Sequence, residues 1–473
     1  MKMGKRMDGK IRNSKYPTLF LVGAGVFLST MDSSMVNVAL PFIMDSFAST
    51  LRKTQWVVLI YLLSITVTLL FWGIVADYYG KYRTYFTGIA VFIAASLGCS
   101  VAPSLVLLTA LRFVEGLGAA MMMAAGPTII RDVFPRNQLG TGLGLVGIAT
   151  SAGLMSGPVV GGFLISLVSW RVIFIVSVPV GFVIVVLGLF NRKRAQSAAR
   201  AEKQVFDWRG AVLWALLITS IVLYGHFLPG FTIIWKVVGG LWLCTVGFLF
   251  YVAEKTRKSN ILPLHLFPKN YYHIGLITAS LSFASLFGVL ILMPFYLNHI
   301  KGLGGDMVGS VMMAVPLTLF IVSPTAGMLY DRLGSRYLTT LGLSICTLSL
   351  LCLALLDEHT RLLTIFIVLA LLGMGQSMFL APNTASLLSR IPAGDAGITS
   401  GLLATSRNLG MLMGAAAGSM VFSAWYGYFS SGGELGNYRA VMAPVFIASL
   451  RATMCCFAAL AAINACISWQ RER

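Results

Sequence analysis

The feature that most restricts this chain is a series of long, unbroken apolar stretches separated by short polar ones. The first runs from about Pro17 to Phe42; others lie near 54–74, 84–102, 105–129, 139–166, 172–190, 208–228, 233–252, 273–297, 307–329, 338–356, 362–388, 398–426 and 446–468. A helix crosses a bilayer with about 20 apolar residues. The pattern therefore predicts fourteen spans, and 473 residues then leave short loops with no room for a large soluble domain. Only 11% of the residues are charged, against about 25% in soluble domains, so a water-soluble fold is excluded. An outer-membrane barrel is excluded too, because its strands alternate polar and apolar residues. The expected fold is an all-α polytopic membrane protein.

The charge is lopsided: Lys+Arg is 35, Asp+Glu is 16, and the net charge is +19. Nucleic-acid binding is one reading of such a balance, but the positions favour a membrane. With both termini cytoplasmic, 25 Lys and Arg residues fall on the cytoplasmic side and seven on the outer side. That bias is what the positive-inside rule demands. Arg112, Arg407 and Arg451 remain inside apolar runs. The expectation is a monomeric multi-pass protein of a bacterial cell membrane, with no nucleic-acid partner. The first apolar run is too long for a signal-peptide core, and no A-x-A site follows it. All seven cysteines sit in or beside apolar stretches and none forms a CxxC pair, so zinc and redox sites lack support and packing is the plain reading.

An internal echo divides the chain. Gly73, Asp77 and Gly80 are matched 254 residues later by Gly327, Asp331 and Gly334; Lys81 and Arg83 follow the first copy, and Arg332 and Arg336 lie in the second. Two such loops suggest two parallel halves with a gating interface between them. The expected division is a basic segment 1–16, a six-helix bundle 17–190, linkers with two inserted helices 191–272, a second six-helix bundle 273–468, and a cytoplasmic tail 469–473. Asp77 can dock against the positive end of a neighbouring helix. Such a contact would close one side in one state and release it in the other; solvated loop charges are the plainer alternative.

Ionisable groups inside the spans carry the functional reading, because they are costly in a bilayer and need a cavity or a partner. Asp32 lies deep in the first span. It can bind and release protons or attract a cationic substrate; a structural acid near the outer interface is the alternative. Arg112 and Glu115 share one helix face, as a polar cavity's lining or as a buried ion pair that fixes packing. Gly153, Gly157 and Gly161 are spaced by four and form a face for close helix approach, while Pro158 permits a bend. The first half offers Asn37, Met121, Met122, Met123, Gly126 and Pro127 to a substrate path, and the second half Tyr296, Asn298, Gln376, Asn383, Arg407 and Asn408. Methionine suits promiscuous binding, although ordinary packing explains such runs as well. Arg407 fits an anionic or zwitterionic substrate, or else snorkels to the surface, and Arg451 is equally ambiguous. Gly142 to Gly147 matches GxGxxG inside an apolar run, with no preceding strand, so no cofactor is expected. HExxH, GxSxG and P-loop signatures are absent, and no enzyme activity is expected.

Several motifs together resemble the major facilitator superfamily, and within it the fourteen-helix drug/proton antiporter branch. Met31 to Pro41, with Asp32 and Asn37, resembles that branch's first-helix motif. Gly73 to Arg83 resembles the superfamily's cytoplasmic loop motif, and Leu111 to Ala120 its fourth-helix motif. Ser151 to Gly162 resembles the fifth-helix motif of exporters; Trp170-Arg171 with Pro179 and Gly181 resembles the branch's sixth-helix entry. The resemblance implies two six-helix bundles plus two extra helices, exchange of protons for an amphipathic compound moving outward, and a proton-coupling role for Arg112 beside Asp32. The family usually carries glutamine where Glu115 stands, which leaves open whether Glu115 neutralises Arg112 or titrates itself. The resemblance also implies gating by Gly73, Asp77, Gly80, Lys81, Arg83, Gly153, Gly157, Pro158, Gly161, Gly162, Asp331 and Arg332. Two rival readings are a carrier for a specific metabolite, lipid or anion, and a receptor or scaffold that has lost transport.

Overall fold

A computed structural model describes residues 2–134, 139–195, 208–227, 233–256, 267, 270–391, 396–430 and 442–471. Each of the fourteen apolar stretches is helical over most of its described residues, and no strand occurs among the described residues. The helices are α1 (Lys2–Ser46), the single turn α2 (Leu51–Thr54), α3 (Trp56–Tyr79), α4 (Lys81–Ser100), α5 (Leu105–Val133), α6 (Leu139–Leu167) and α7 (Val172–Ala195). They continue with α8 (Trp208–Phe227), α9 (Ile233–Thr256), α10 (Asn270–Phe295) followed by a π-helical turn Tyr296–Ile300, and α11 (Gly305–Met312). The last four are α12 (Ala314–Ala354), α13 (Leu362–Ser389), α14 (Ala396–Phe429) and α15 (Ala443–Trp469). Ten segments are long and apolar enough to cross a membrane, and Ala152–Leu167, Val172–Val186 and Arg209–Gly225 are shorter apolar helices. Helix α4 is 20 residues long. The GxGxxG match at Gly142 to Gly147 lies within α6.

The echo in the sequence has a backbone cause. Gly80 separates α3 from α4 with φ +108°, and Gly334 breaks α12 into two spans with φ +74°. A side chain is strained in that region, whereas glycine enters it freely. Both glycines thus turn the chain between successive spans, Leu51–Tyr79 into α4 and Gly305–Tyr330 into Arg332–Ala354. We name helix ends inner and outer from the charge bias, so both turns are inner.

Helices α1 and α3–α7 pack mainly on one another, as do α10–α15; we call these groups the first and second bundle, and one buried apolar core runs through both. Of the inserted pair, α8 packs on α3 and α14, and α9 packs on α8. Trp214 of α8 donates its indole N–H to the Thr66 carbonyl of α3 at 3.2 Å. Helix α9 leans on α8 through the Trp214–Phe250 ring pair, 5.8 Å between centroids, and through Trp242, whose indole donates to Ser220 at 2.9 Å. The most apolar stretch of α9 is only 11% buried, as expected of a helix facing lipid.

Helix α6 has two working faces. On one, Gly153, Gly157 and Gly161 lie against Phe27, Met31 and Met35 of α1; a Cβ on Gly157 would stand 2.9 Å from the Met31 carbonyl oxygen. On the other, a Cβ on Gly162 would run into the Gly305 carbonyl, and one on Gly309 into the Pro158 carbonyl. The outer end of α6 is therefore backbone-to-backbone with α11 of the second bundle. His299 of the π-helical turn lies 3.6 Å from Asp45 at the outer end of α1. The two bundles meet at their outer ends.

A Gly309→Val substitution should force α11 off α6 and open the outer face. With native cysteines replaced and one introduced at Asn37, labelling by an impermeant maleimide from outside should rise several-fold. Unchanged labelling would show that this crossing does not hold the outer side shut.

Candidate functional site

Of the sixteen acidic residues, only Asp32 and Glu115 lie deep inside spans. The fold brings both to one guanidinium. Arg112 Nη1 donates to Asp32 Oδ2 at 2.7 Å and to Glu115 Oε2 at 2.8 Å. All three side chains are fully buried. Asp32 comes from α1, whereas Arg112 and Glu115 sit one turn apart on α5. Local packing sets the approach: Gly116 of α5 rests on Tyr61 and Ser64 of α3, and Gly118 rests on Gly88 and Phe92 of α4.

The surrounding groups fix the guanidinium rather than neutralise it. Arg112 Nε donates to the Val57 carbonyl at 3.2 Å. Its carbon lies 4.1 Å from the Tyr61 ring centroid and 5.7 Å from that of Phe174, both at cation–π range. The Cys99 thiol donates to Glu115 Oε2 at 3.6 Å. Tyr61 and Ser29 share a 3.0 Å hydroxyl contact, which ties α3 to α1 beside the cluster. Among the described residues, Arg112 Nη2, Asp32 Oδ1 and Glu115 Oε1 have no hydrogen-bond partner. The cluster holds two acids against one permanent cation. With both acids ionised it carries one net negative charge; with one protonated it is neutral. Those two states differ by a single proton, and spare acceptors are in place for it. The Asp32 side chain has no solvent exposure and lies against Arg112.

The remaining candidates are spread widely. Asn37 of α1 is buried, with Oδ1 unpartnered. Met122 is fully buried and packs on Gly25. Tyr296 is also fully buried and donates to the Asp357 carbonyl at 2.6 Å, while Asn298 donates to Leu303 O at 3.1 Å. Both therefore hold the outer loops. Asn383 donates to Gly275 O at 3.1 Å and accepts from Arg471. Arg471, expected in the tail, turns back into the second bundle, is buried, and also donates to Thr278. Gln376 accepts from Ser282 at 2.7 Å, and Arg407 donates to Thr384 at 2.6 Å. Arg451 is exposed and caps the end of α12 by donating to Ala354 O at 3.0 Å, a usual place for a cation.

At the inner turn, Lys81 spans two helices to Asp132 at 2.6 Å, with Asp77 3.8 Å away. Lys81 of α4 thus stands between Asp77 of α3 and Asp132 of α5. Gly73 has open space around it, and Arg83 and Arg332 are exposed; the Asp331 side chain lies outside the described residues. No group of three or more metal-ligating side chains occurs among the described residues. Sequence reasoning missed Tyr61, Cys99 and the Val57 carbonyl. Only their place in space ties them to the cluster, and a lone cysteine or tyrosine in an apolar run gives no signal.

Comparison with known proteins agrees with this arrangement. The sequence matches the family described as Major Facilitator Superfamily over residues 22–415 and 275–466. It is 32% identical to the riboflavin transporter RibZ of Clostridioides difficile (strain 630), covering 86% of this chain and 88% of the relative. It is 31% identical to the multidrug resistance protein Stp of Mycobacterium tuberculosis (strain CDC 1551 / Oshkosh), covering 86% and 76%. The tetracenomycin C resistance and export protein of Streptomyces glaucescens is 28% identical, covering 86% and 76%. Among solved structures, a bacterial homologue of the lysosomal transporter Spinster, inward-facing and unoccupied, superposes with a TM-score of 0.68. It is 15% identical and covers 96% of this chain and 95% of its own, a likeness of fold alone.

Removing one partner of a buried ion pair costs about 3–5 kcal/mol. Arg112→Ala should therefore destabilise the purified protein markedly, whereas Glu115→Gln should cost far less. The Arg112→Ala loss should grow with pH, since both orphaned acids are buried without strain only when protonated. Thermal unfolding in detergent across pH checks this; an Arg112→Ala protein as stable as wild type would contradict it.

Proposed function

The chain belongs to the Major Facilitator Superfamily, and on that premise we propose that it is a proton-coupled exporter of amphipathic small molecules, of the fourteen-helix drug/proton antiporter branch. The observation that carries this reading is the buried cluster of Asp32, Arg112 and Glu115. A buried site with two charge states one proton apart is what an ion-driven carrier needs. The multidrug resistance relative and the export relative support outward movement of foreign compounds.

In the proposed cycle the closed outer crossing of α6 on α11 marks an inward-facing state. Substrate enters from the inner side. Separation of α11 from α6 would release α6 and, through its glycine face, α1 with Asp32. Arg112 would then leave Asp32 for Glu115 alone, and Asp32 would take a proton from outside as substrate departs. Return to the inward state brings Arg112 back and expels the proton. Coupling requires that proton and substrate favour the two states differently. Glu115 keeps Arg112 paired throughout, which gives a role to the residue at which this sequence departs from the family. The second reading, a carrier for one metabolite, is favoured by the riboflavin transporter among the relatives.

The test is efflux from cells expressing the protein, with ethidium and fluorescein as probes. At least one probe should leave faster than from control cells, and a protonophore should stop it. Asp32→Asn should abolish proton-driven efflux while reaching the membrane in normal amounts. Efflux by Asp32→Asn at the wild-type rate, or indifference to the protonophore, would refute the coupling role.

A further inference from the structure

The two bundles differ in the sign of their interior charge. The first holds the acid-rich cluster. In the second, every acidic residue (Asp306, Asp331, Asp357, Glu358, Asp395, Glu434 and Glu472) lies at a helix end, turn or loop in the sequence pattern. Yet the second bundle carries Arg407 within α14, eleven residues from that helix's inner start. Its guanidinium is partly buried and donates to the neutral Thr384 hydroxyl, and among the described residues its Nε has no hydrogen-bond partner.

Close packing gathers more polar groups there. Gly410 and Gly414 bring α14 against Ser280, Phe283 and Ala284 of α10. Arg407 lies 5.9 Å from the Phe283 ring centroid. The adjacent Ser282 holds the Gln376 carbonyl oxygen, so Gln376 is tied to the same turn of α10. Among the described residues the amide nitrogens of Gln376 and of Asn408 have no partner, although both residues are at least nine-tenths buried. The orphan atoms on Arg407, Gln376 and Asn408 are all N–H donors. An amide can turn either end to a ligand; a guanidinium cannot shed its proton and has no acceptor. Arg407 therefore sets the ligand's sign, and Phe283 supplies an apolar face beside it.

We propose that Arg407, Thr384, Gln376 and Asn408 form the substrate subsite of the second bundle, and that it takes an amphipathic organic anion: an aromatic body carrying a carboxylate. This deepens the transport reading and rests on it. The carboxylate accepts from the unpaired Nε and the remaining guanidinium hydrogens of Arg407, a geometry that guanidinium forks favour. The amide nitrogens meet carbonyl or ring acceptors on the body. Because the proton cluster lies in the other bundle, an anionic substrate and a proton need not compete for one carboxylate.

Two readouts separate this inference from the transport reading. The first is thermal stabilisation of the purified protein by fluorescein, with ethidium as the cationic control. Fluorescein should stabilise wild type; Arg407→Gln should lose about tenfold in apparent affinity, Arg407→Lys less, and Thr384→Val an intermediate amount. Ethidium should respond equally in all four proteins. The second is fluorescein efflux from cells, which Arg407→Gln should slow by up to about tenfold at low fluorescein. Loss of binding in Arg407→Gln without any wild-type efflux would uphold the subsite and remove the exporter reading. Fluorescein binding or efflux that is the same with and without Arg407, or no fluorescein binding by wild type, would overturn the subsite even if ethidium is exported. Thr384→Val and Arg407→Lys keep the test decisive should Arg407→Gln fold poorly.

Discussion

One nitrogen of Arg112 holds two carboxylates in the interior of a membrane bundle, and the rest of the structure is arranged around that fact. Charges so placed are tolerable only when paired. The pairing joins α1 to α5, and the Val57 carbonyl and Tyr61 ring add α3. Three helices are thus fixed by a group that cannot give up its proton. The acids can. The same contact that holds the first bundle together is therefore the one that a proton alters, so stability and coupling are two properties of a single cluster.

Helix α6 is what links that cluster to the outer gate. One face of small residues grips the helix that bears Asp32, and the adjoining face touches the second bundle. Glycine-to-backbone crossings leave no side chain to absorb movement, so a shift at α11 is passed on to α1. Interfaces of this kind have discrete packed arrangements rather than a continuum. Of the inserted helices, α9 leans on α8, and α8 packs on α3 of the first bundle through Trp214 and also touches α14 of the second.

Much of this was legible in the sequence, for physical reasons. Apolar runs of bilayer length have few alternatives to helices, and the Gly80 and Gly334 echo marks two turns that need a positive φ. Asp32, Arg112 and Glu115 stood out because lipid makes ionised groups expensive; that Asp32 and Glu115 would share one nitrogen did not, since nothing in linear order brings residue 32 to residue 112. Spacing gave the glycine face of α6 but not its partner, and it hid that Gly162 points to a different bundle from Gly161. Arg471 reads as a solvated tail residue because its burial depends on Thr278 and Asn383, far away in the chain. The soft-lining residues were least legible: Met122 and Tyr296 are packed solid here, as large apolar side chains usually are.

Infrared spectroscopy of the purified protein reads the central cluster without a substrate, through the carbonyl stretch of protonated carboxyl groups. Titrated between about pH 5 and pH 9, wild type should show a buried carboxylic-acid band that gains and loses one proton, and that band should shift or vanish in both Asp32→Asn and Glu115→Gln. A spectrum in which neither substitution changes any protonated-carboxyl band across that range would mean that the two acids stay ionised on Arg112, and that the cluster is a fixed strut rather than the carrier's proton site.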